Sequence, residues 1–351
     1  MKLLILGGSR FLGRAIVEEG LKSGHELTVF NRGNQNDIFQ NTNVEVLIGD
    51  RDGDLEVLKG RKWDAAIDTC GFVPRTVGKA TSVLAHHISH YTYVSSISVY
   101  RDWIPKGITE EYDTPTLSKE KVNDITRDTA GPIYNEYYGP LKRMCEIEAE
   151  KNMPNQVFAV RAGLIVGAND YADRLPYWVK RISEGGTVLA PGNPKSHVQL
   201  IDVKDLAMWI LYMIERNVTG IYNATGPDAP LTMEQLLQCC KQVTNSDAEF
   251  TWASEQFLLE NHVAPWTEMP LWLPEEIPLQ GEKEPWRGSG AISIDKALQT
   301  GLSFRSIEET ITDIWKWEQL RSKTEERKAG LASDKEQQLL EKWMETQTSL
   351  F

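Results

Sequence analysis

The sequence predicts an α/β protein, a doubly wound parallel sheet carrying a smaller C-terminal substrate lobe. Three observations predict it. Apolar runs of strand length alternate with helical patterns through the first half, and such alternation gives parallel strands covered by helices on both faces. A glycine-rich turn joins the first strand to the first helix. At 351 residues, 41% hydrophobic and 25% charged, the chain can bury the core that such a sheet needs.

Strand-like runs fall at 3–6, 27–30, 44–48, 65–67, 91–94 and 157–160, with helical patterns at 12–22, 74–85 and 134–151 between them. After Gly167 the pattern loosens. Helices are expected at 171–184, 204–215, 233–243 and 307–317, and short strands at 187–189, 198–201 and 220–223. Thr232 with Gln235, and Ser306 with Glu309, have capping-box spacing. The segment 252–290 holds Trp252, Trp266, Trp272 and Trp286 without periodicity and reads as an irregular cover. Beyond Glu318 a charged stretch leads to Ser333 and Glu336, again at capping-box spacing, and then to Leu339, Leu340, Trp343 and Met344 on one helical face. That tail, 321–351, should dock on the chain's own body or on a partner subunit.

The net charge of −12 comes without any block of Lys and Arg, which disfavours nucleic acid as a partner. No leader pattern precedes the first strand and no run of eighteen apolar residues occurs, so a cytoplasmic protein without membrane attachment is expected. Cys70, Cys145, Cys239 and Cys240 have neither disulfide nor zinc spacing. His86, His87 and His90 cluster without a carboxylate and read as a solvated or dipole-capping helix end rather than a metal site. No metal is expected.

Gly7, Gly8, Ser9, Arg10, Phe11, Leu12 and Gly13 lie where a dinucleotide phosphate loop lies, directly between strand and helix. Gly7 permits the tight turn, Gly8 the approach of backbone to a pyrophosphate, and Gly13 close helix packing. This makes 1–165 a Rossmann nucleotide-binding domain and 166–320 a substrate lobe interleaved with the last strands of the sheet. At the end of the second strand stand Asn31 and Arg32 instead of an acid. A guanidinium suits a 2′-phosphate, so NADP(H) is favoured, with NAD(H) kept open because Arg32 and Arg10 also read as solvated turn residues. Asp50, beside Arg51 after the third strand, is placed to accept from an adenine amino group or to cap a turn.

The fifth strand ends at Ser95 and Ser96, and Tyr138 and Lys142 stand one helical turn apart downstream. An ammonium near a phenol lowers its pKa, so Tyr138 would move the hydroxyl proton while hydride moves to or from the cofactor, and Ser96 would orient the same oxygen.

With these residues, and with the segments 161–167, 201–207 and 294–302, the chain resembles an atypical extended short-chain dehydrogenase/reductase of the NAD-dependent epimerase/dehydratase family, from Met1 to about Glu318. The loop is similar to a branch that includes isoflavone-reductase-like bacterial proteins and chloroplast stem-loop-binding proteins. The resemblance implies a Rossmann fold, a nicotinamide cofactor and Ser96, Tyr138 and Lys142 as the catalytic set. Four departures narrow it. Ile97 and Ser98 replace the acidic pair of the family's dehydratases, and Leu164 replaces the asparagine that binds a substrate diphosphate. No asparagine lies between Asn43 and Asn123, so Arg75, Thr76 or a water would complete a proton relay. Asp68, Thr69, Cys70 and Gly71 make the floor of the nicotinamide site polar.

The function expected is an NADP(H)-dependent oxidoreductase that transfers hydride at a carbinol or ketone carbon of a small polar substrate. The alternatives are an NAD-dependent sugar or sugar-nucleotide epimerase, and a non-catalytic cofactor-binding or RNA-binding protein. A homodimer is compatible with the family likeness and the apolar tail. Asp173 and Arg174 read as an exposed pair or a substrate clamp, and His197 as a surface turn or a substrate-facing loop.

Overall fold

The computed structural model describes residues 1–53, 55–322 and 325–348. Its first half runs β1 (Lys2–Leu6), α1 (Phe11–Lys22), β2 (Glu26–Asn31), β3 (Glu45–Ile48), β4 (Ala65–Asp68), α2 (Pro74–Leu84), β5 (His90–Ser96), α3 (Lys119–Ile125), α4 (Tyr138–Asn152) and β6 (Val157–Ala162). Then follow β7 (Leu164–Val166), α5 (Arg174–Ser183), β8 (Thr187–Pro191), β9 (His197–Val198), β10 (Leu200–Asp202), α6 (Val203–Glu215) and β11 (Gly220–Ala224). The chain closes with β12 (Leu231–Thr232), α7 (Met233–Thr244), β13 (Glu249–Ala253), α8 (Glu255–Glu260), α9 (Asp295–Gln299), α10 (Ile307–Glu318) and α11 (Ser333–Thr348).

Seven parallel strands form the central sheet in the order β11-β6-β5-β4-β1-β2-β3. The strand order reverses between β1 and β4, where an open α/β sheet offers a crevice at its carboxyl edge. Strand alternation sorts the core: Leu3 and Ile5 of β1 join the layer of α1 and α6, whereas Leu4 and Leu6 join that of α2 and α4. All four are at most 1% exposed, and each contributes about 1.5–3 kcal/mol by burial. The Rossmann α/β fold expected from the sequence is the fold observed.

The lobe is held by a separate apolar cluster from α5, α7, α10, β8 and β13. The tail helix docks there, on the chain's own body: Leu339 and Leu340 enter the cluster, and Trp343 packs on Phe257 with ring centres 4.8 Å apart. The capping box at Thr232 and that at Ser306 are both formed. The one expected at Ser333 is not. Glu336 is buried and its carboxylate instead accepts from Arg181 Nε at 2.6 Å and from Leu189 N at 3.0 Å.

Three expected elements start late or divide, each for a local reason. The helix expected at 134–151 begins at Tyr138 because Asn135 first makes a side-chain turn, accepting from Tyr137 N at 2.9 Å. That expected at 171–184 begins at Arg174, after Asp170 accepts from Ala172 N at 2.8 Å and Asp173 takes a φ of 59°. The strand expected at 198–201 divides at Gln199, whose carboxamide binds both the N–H and the C=O of Ile292. Within the expected irregular cover, β13 and α8 are regular; β13 pairs with β8 far away in sequence. Among the described residues no helix is long and apolar enough to cross a membrane.

Candidate active site

The phosphate loop opens on Gly7 and Gly8, with φ of 107° and 88°, a region that costs a side-chain-bearing residue strain. A β-carbon on Gly13 would fall 2.7 Å from Gly8 N, so only glycine lets α1 rise this close to the loop. No acid occupies the first turn of α1 and no side chain caps it, which leaves its N–H groups and dipole facing the loop. Ser9 is half-buried at the turn, Leu12 is buried, and Phe11 meets Tyr171 edge-on at 6.3 Å. This cradle fits a pyrophosphate.

At the end of β2, Asn31 is engaged in a turn: its Oδ1 accepts from Gly33 N at 2.7 Å and its Nδ2 donates to Asn36 at 2.9 Å. Arg32 is exposed beside it with no partner recorded among the described residues. Arg10 reaches toward the same corner, donating from Nε to Gln35 at 3.0 Å. Asp50 accepts from Asp52 N at 2.9 Å, the turn role foreseen as its alternative. Arg51 points inward, its guanidinium forked onto Asp68 at 2.6 and 2.7 Å and 3.1 Å from Cys70 Sγ.

Ser96 closes β5. Its Oγ accepts from Ser98 N at 3.1 Å and donates to Ser98 Oγ at 3.0 Å, capping the turn Ile97–Val99. Tyr138 is the first residue of α4, and Gly139 follows. A β-carbon on Gly139 would fall 1.8 Å from Ser98 O, so α4 presses on this turn at a distance only glycine permits. Lys142, one turn along, is 3% exposed and donates to Gly71 O at 2.8 Å and Val94 O at 2.6 Å, with its Nζ 4.4 Å from the ring centre of Tyr93. Burial brings its ammonium down to about 8.

Burial pushes the Tyr138 phenol above its ordinary value; neighbouring Tyr134 and Tyr171 add to this and Arg174 opposes it. The lowering expected from Lys142 is thus replaced by a rise, because burial of the phenol outweighs it. Arg75 is spent on Asp52 and on the carbonyls of Thr126 and Thr129, and Thr76 on Val73 O, so neither is free for a relay.

Sequence reasoning missed the scaffold beneath Lys142. Asp68 is fully buried, with Arg51, Tyr91 OH at 2.6 Å and Cys70 N at 3.0 Å all donating to it, and Tyr93 OH donates to Gly71 O at 2.8 Å. The pair fixes the corner whose carbonyl holds Lys142; the polar end of β4 was its only signal. A second buried fork, Arg161 on Glu146 at 3.1 and 2.9 Å with Ser95 Oγ at 2.5 Å, ties α4 to β6 and β5.

Beyond Ile97 a cavity of about 50 Å³ lies between the sheet edge and the lobe. Trp103, Leu164, His197, Trp266 and Trp272 line it. Trp266 and Leu271, both on its wall, have φ of 66° and 68°, and such strain persists only where surroundings impose it. His197, the first residue of β9, lies on the wall of this cavity. Two other expectations are corrected: Asp173 is buried under Arg321 and Lys328 N, while Arg174 stacks on Trp266 at 5.1 Å, and His90 is buried with its Nε2 2.9 Å from Val218 O.

Residues 3–225 match the model of the NAD dependent epimerase/dehydratase family. Among curated proteins none matches the chain. Solved structures of similar fold include a UDP-glucuronic acid 4-epimerase from Bacillus cereus in complex with NAD (TM-score 0.62, 14% identity, 91% of this chain and 99% of that one). Another is the UDP-Glc/GlcNAc 4-epimerase from Campylobacter jejuni (0.63, 14%, 91% and 99%). A third is a UDP-N-acetylglucosamine 4-epimerase from Methanobrevibacter ruminantium M1 (0.63, 17%, 90% and 97%). With a family match over more than half its length, the chain belongs to the NAD-dependent epimerase/dehydratase family, and it is an enzyme of the short-chain dehydrogenase/reductase type that uses a nicotinamide cofactor.

Proposed function

We propose that the protein is an epimerase that inverts a carbinol carbon of a sugar-like substrate by removing a hydride and returning it within one closed site. The observation that carries this reading is the docking of α4 through Gly139 onto the Ser96 turn, with Lys142 one turn beyond Tyr138. Similarity of fold to 4-epimerases over nearly the whole of both chains supports return of the hydride over net reduction.

Gly7, Gly8 and Gly13 with the first turn of α1 would hold the pyrophosphate of the dinucleotide. A nicotinamide held there would supply hydride uptake and return. Tyr138 takes the hydroxyl proton as the carbon is oxidised and restores it on return. Its raised phenol makes it a good proton keeper and a poor unaided base, so the charge of Lys142 and the bound cofactor must lower it for reaction. Ser96 donates to the same substrate oxygen as it becomes a carbonyl. The Gly71 and Val94 carbonyls keep Lys142 in one pose.

The test is incubation of the cofactor-loaded protein with a panel of pyranoses and pyranosides in D2O, followed by NMR. Epimer formation without deuterium at the inverted carbon and without net reduced nicotinamide is expected, and is lost in Tyr138→Phe. Stoichiometric cofactor oxidation instead sinks the epimerase reading.

A second reading, net NADP(H)-dependent reduction, is favoured by Arg32, an exposed guanidinium at the end of a β2 that offers no carboxylate. Fluorescence titration with NADPH and NADH on wild type and Arg32→Ala decides it. An NADPH affinity that falls about tenfold or more in the variant, with NADH unchanged, supports this reading. Indifference to Arg32 removes it and leaves NAD, the cofactor named with the B. cereus relative.

A further inference from the structure

We infer that Arg174 receives an oxyanion, a carboxylate or a phosphate, which the substrate carries beside its reacting carbinol, so that the protein selects an acidic sugar over a neutral one. This deepens, and rests on, the assignment of Tyr138 to the reacting end.

Arg174 shares the mouth of the site with three tyrosines. The rings of Tyr134 and Tyr138 stand 5.2 Å apart, and Tyr171 meets Phe11 of the phosphate loop edge-on. Burial raises all three phenols, and the charge of Arg174 opposes the rise in each, so the guanidinium lies within electrostatic reach of the proton that Tyr138 moves. Arg174 and Tyr138 are half-buried, Tyr134 and Tyr171 exposed, which leaves the group open to a ligand. Among the described residues no side-chain hydrogen bond or ion pair engages Arg174, and none engages the three phenol oxygens.

The carboxylates closest to Arg174 in sequence are committed elsewhere. Asp173 is buried in an ion pair with Arg321 and accepts from Lys328 N at 3.1 Å. Asp170 is buried and accepts from Ala172 N at 2.8 Å. In a chain of net charge −12 a guanidinium is thus kept clear of its neighbouring acids.

It is also held still. One face of Arg174 lies over the Trp266 ring at 5.1 Å, and stacking of this kind leaves the in-plane N–H groups free for a two-pronged bond. Both ends of the stack are fastened by the stretch 325–331. Lys328 N grips Asp173, the residue before Arg174, and Gly330 N donates to the carbonyl of Thr267, the residue after Trp266, at 2.8 Å. Gly330 is itself wedged on Tyr177, where a β-carbon would fall 2.1 Å away. Asp173 and Trp266 have φ of 59° and 66°, so the strap imposes left-handed backbone on both sides of one guanidinium. The same strap brings Lys328 Nζ to 5.6 Å from the Tyr171 ring centre, and the charge of Arg10 also acts on Tyr171. The mouth is therefore locally positive, which draws an anion in. A fixed planar fork beside it suits an oxyanion, whereas a neutral ring would leave that fork to water.

The experiment is a ligand-observed NMR titration of the cofactor-loaded protein with D-glucuronate, D-glucose 1-phosphate and methyl β-D-glucopyranoside. At least one acid should bind about tenfold more tightly than the neutral glucoside, and Arg174→Gln should abolish that advantage. Arg174→Lys, which keeps the charge and loses the fork, should restore part of it. Cofactor affinity unchanged in both variants shows that they fold. Preference for glucuronate identifies the anion as a carboxylate, preference for the sugar phosphate as a phosphate. Any of three results overturns the inference: a glucoside that binds as tightly as either acid, an advantage that survives Arg174→Gln, or no binding of either acid. An acid held through Arg174 and oxidised without return of the hydride upholds the inference and sinks the epimerase reading, so the two fail separately.

Discussion

The two sides of the candidate active site are built in opposite ways. On the sheet side, the loop that turns back on itself at Gly7 and Gly8 uses glycine for its left-handed backbone, and the side chains behind the site are paired: Lys142 on two carbonyls, Asp68 under Arg51 and Tyr91, Glu146 under Arg161 and Ser95. On the lobe side, left-handed backbone falls on Asp173, Trp266 and Leu271, and polar atoms are left unpaired, the Trp272 indole N–H and one oxygen of Asp170. The side proposed to perform the chemistry is densely paired, with Arg51 Nε the unpaired exception among these groups and Phe11, at φ 35°, the one left-handed non-glycine residue of its loop. The lobe side carries strain and vacant hydrogen-bonding capacity at more of its residues, as sites of selection do.

The largest break in this contrast should come from the sheet side. Asp68→Ala leaves Arg51 buried without its counter-charge and is expected to cost about 3–5 kcal/mol, read as a fall in the urea midpoint. A loss below about 1 kcal/mol would mean that water reaches Arg51 and that the corner is less rigid than its bonds imply.

Gly139→Ala is next. Backbone against backbone cannot yield as a side-chain tip can, so α4 must lift from the Ser96 turn, at about 1–3 kcal/mol. Turnover should fall by more than tenfold while cofactor affinity, set at the other end of the crevice, holds. Equal loss of both would show that α4 positions the cofactor as well.

The smallest effect belongs to the lobe. Asp170 is 2% exposed, and burial raises its carboxyl to about 6. The folded state therefore holds a proton more tightly than the unfolded chain. Its stabilising contribution is fully present below about pH 4 and disappears as pH rises through about 6. The stability difference between wild type and Asp170→Asn should shrink across that window by at most about 3 kcal/mol. A flat difference would mean that the orphan oxygen is solvated and the contrast between the two sides is weaker.

The same contrast governs what could be read from sequence. Strands of the sheet are buried on both faces and announce themselves as continuous apolar runs, as at 3–6 and 157–160. The glycines of the phosphate loop were legible because strand and helix flank them. β13 was not, since a five-residue strand paired with β8 across more than fifty residues leaves no local period. Arg51 shows a different limit: its place after β3 was visible, but the direction of its side chain is set by Asp68, 17 residues on. Gly139 was overlooked because Tyr138 and Lys142 were read for their spacing, and a close approach is a property of two elements rather than one.

The docking of α11 has a consequence for how the chain is made. Leu339 and Leu340 fill a core whose other members begin at Val166, so that core cannot close until Leu340 has left the ribosome. The central sheet has no such wait, being complete once β11 has emerged. For that interval the lobe is a sticky, unfinished surface beside a finished nucleotide-binding half, and it is where a chaperone or a protease would find a nascent chain.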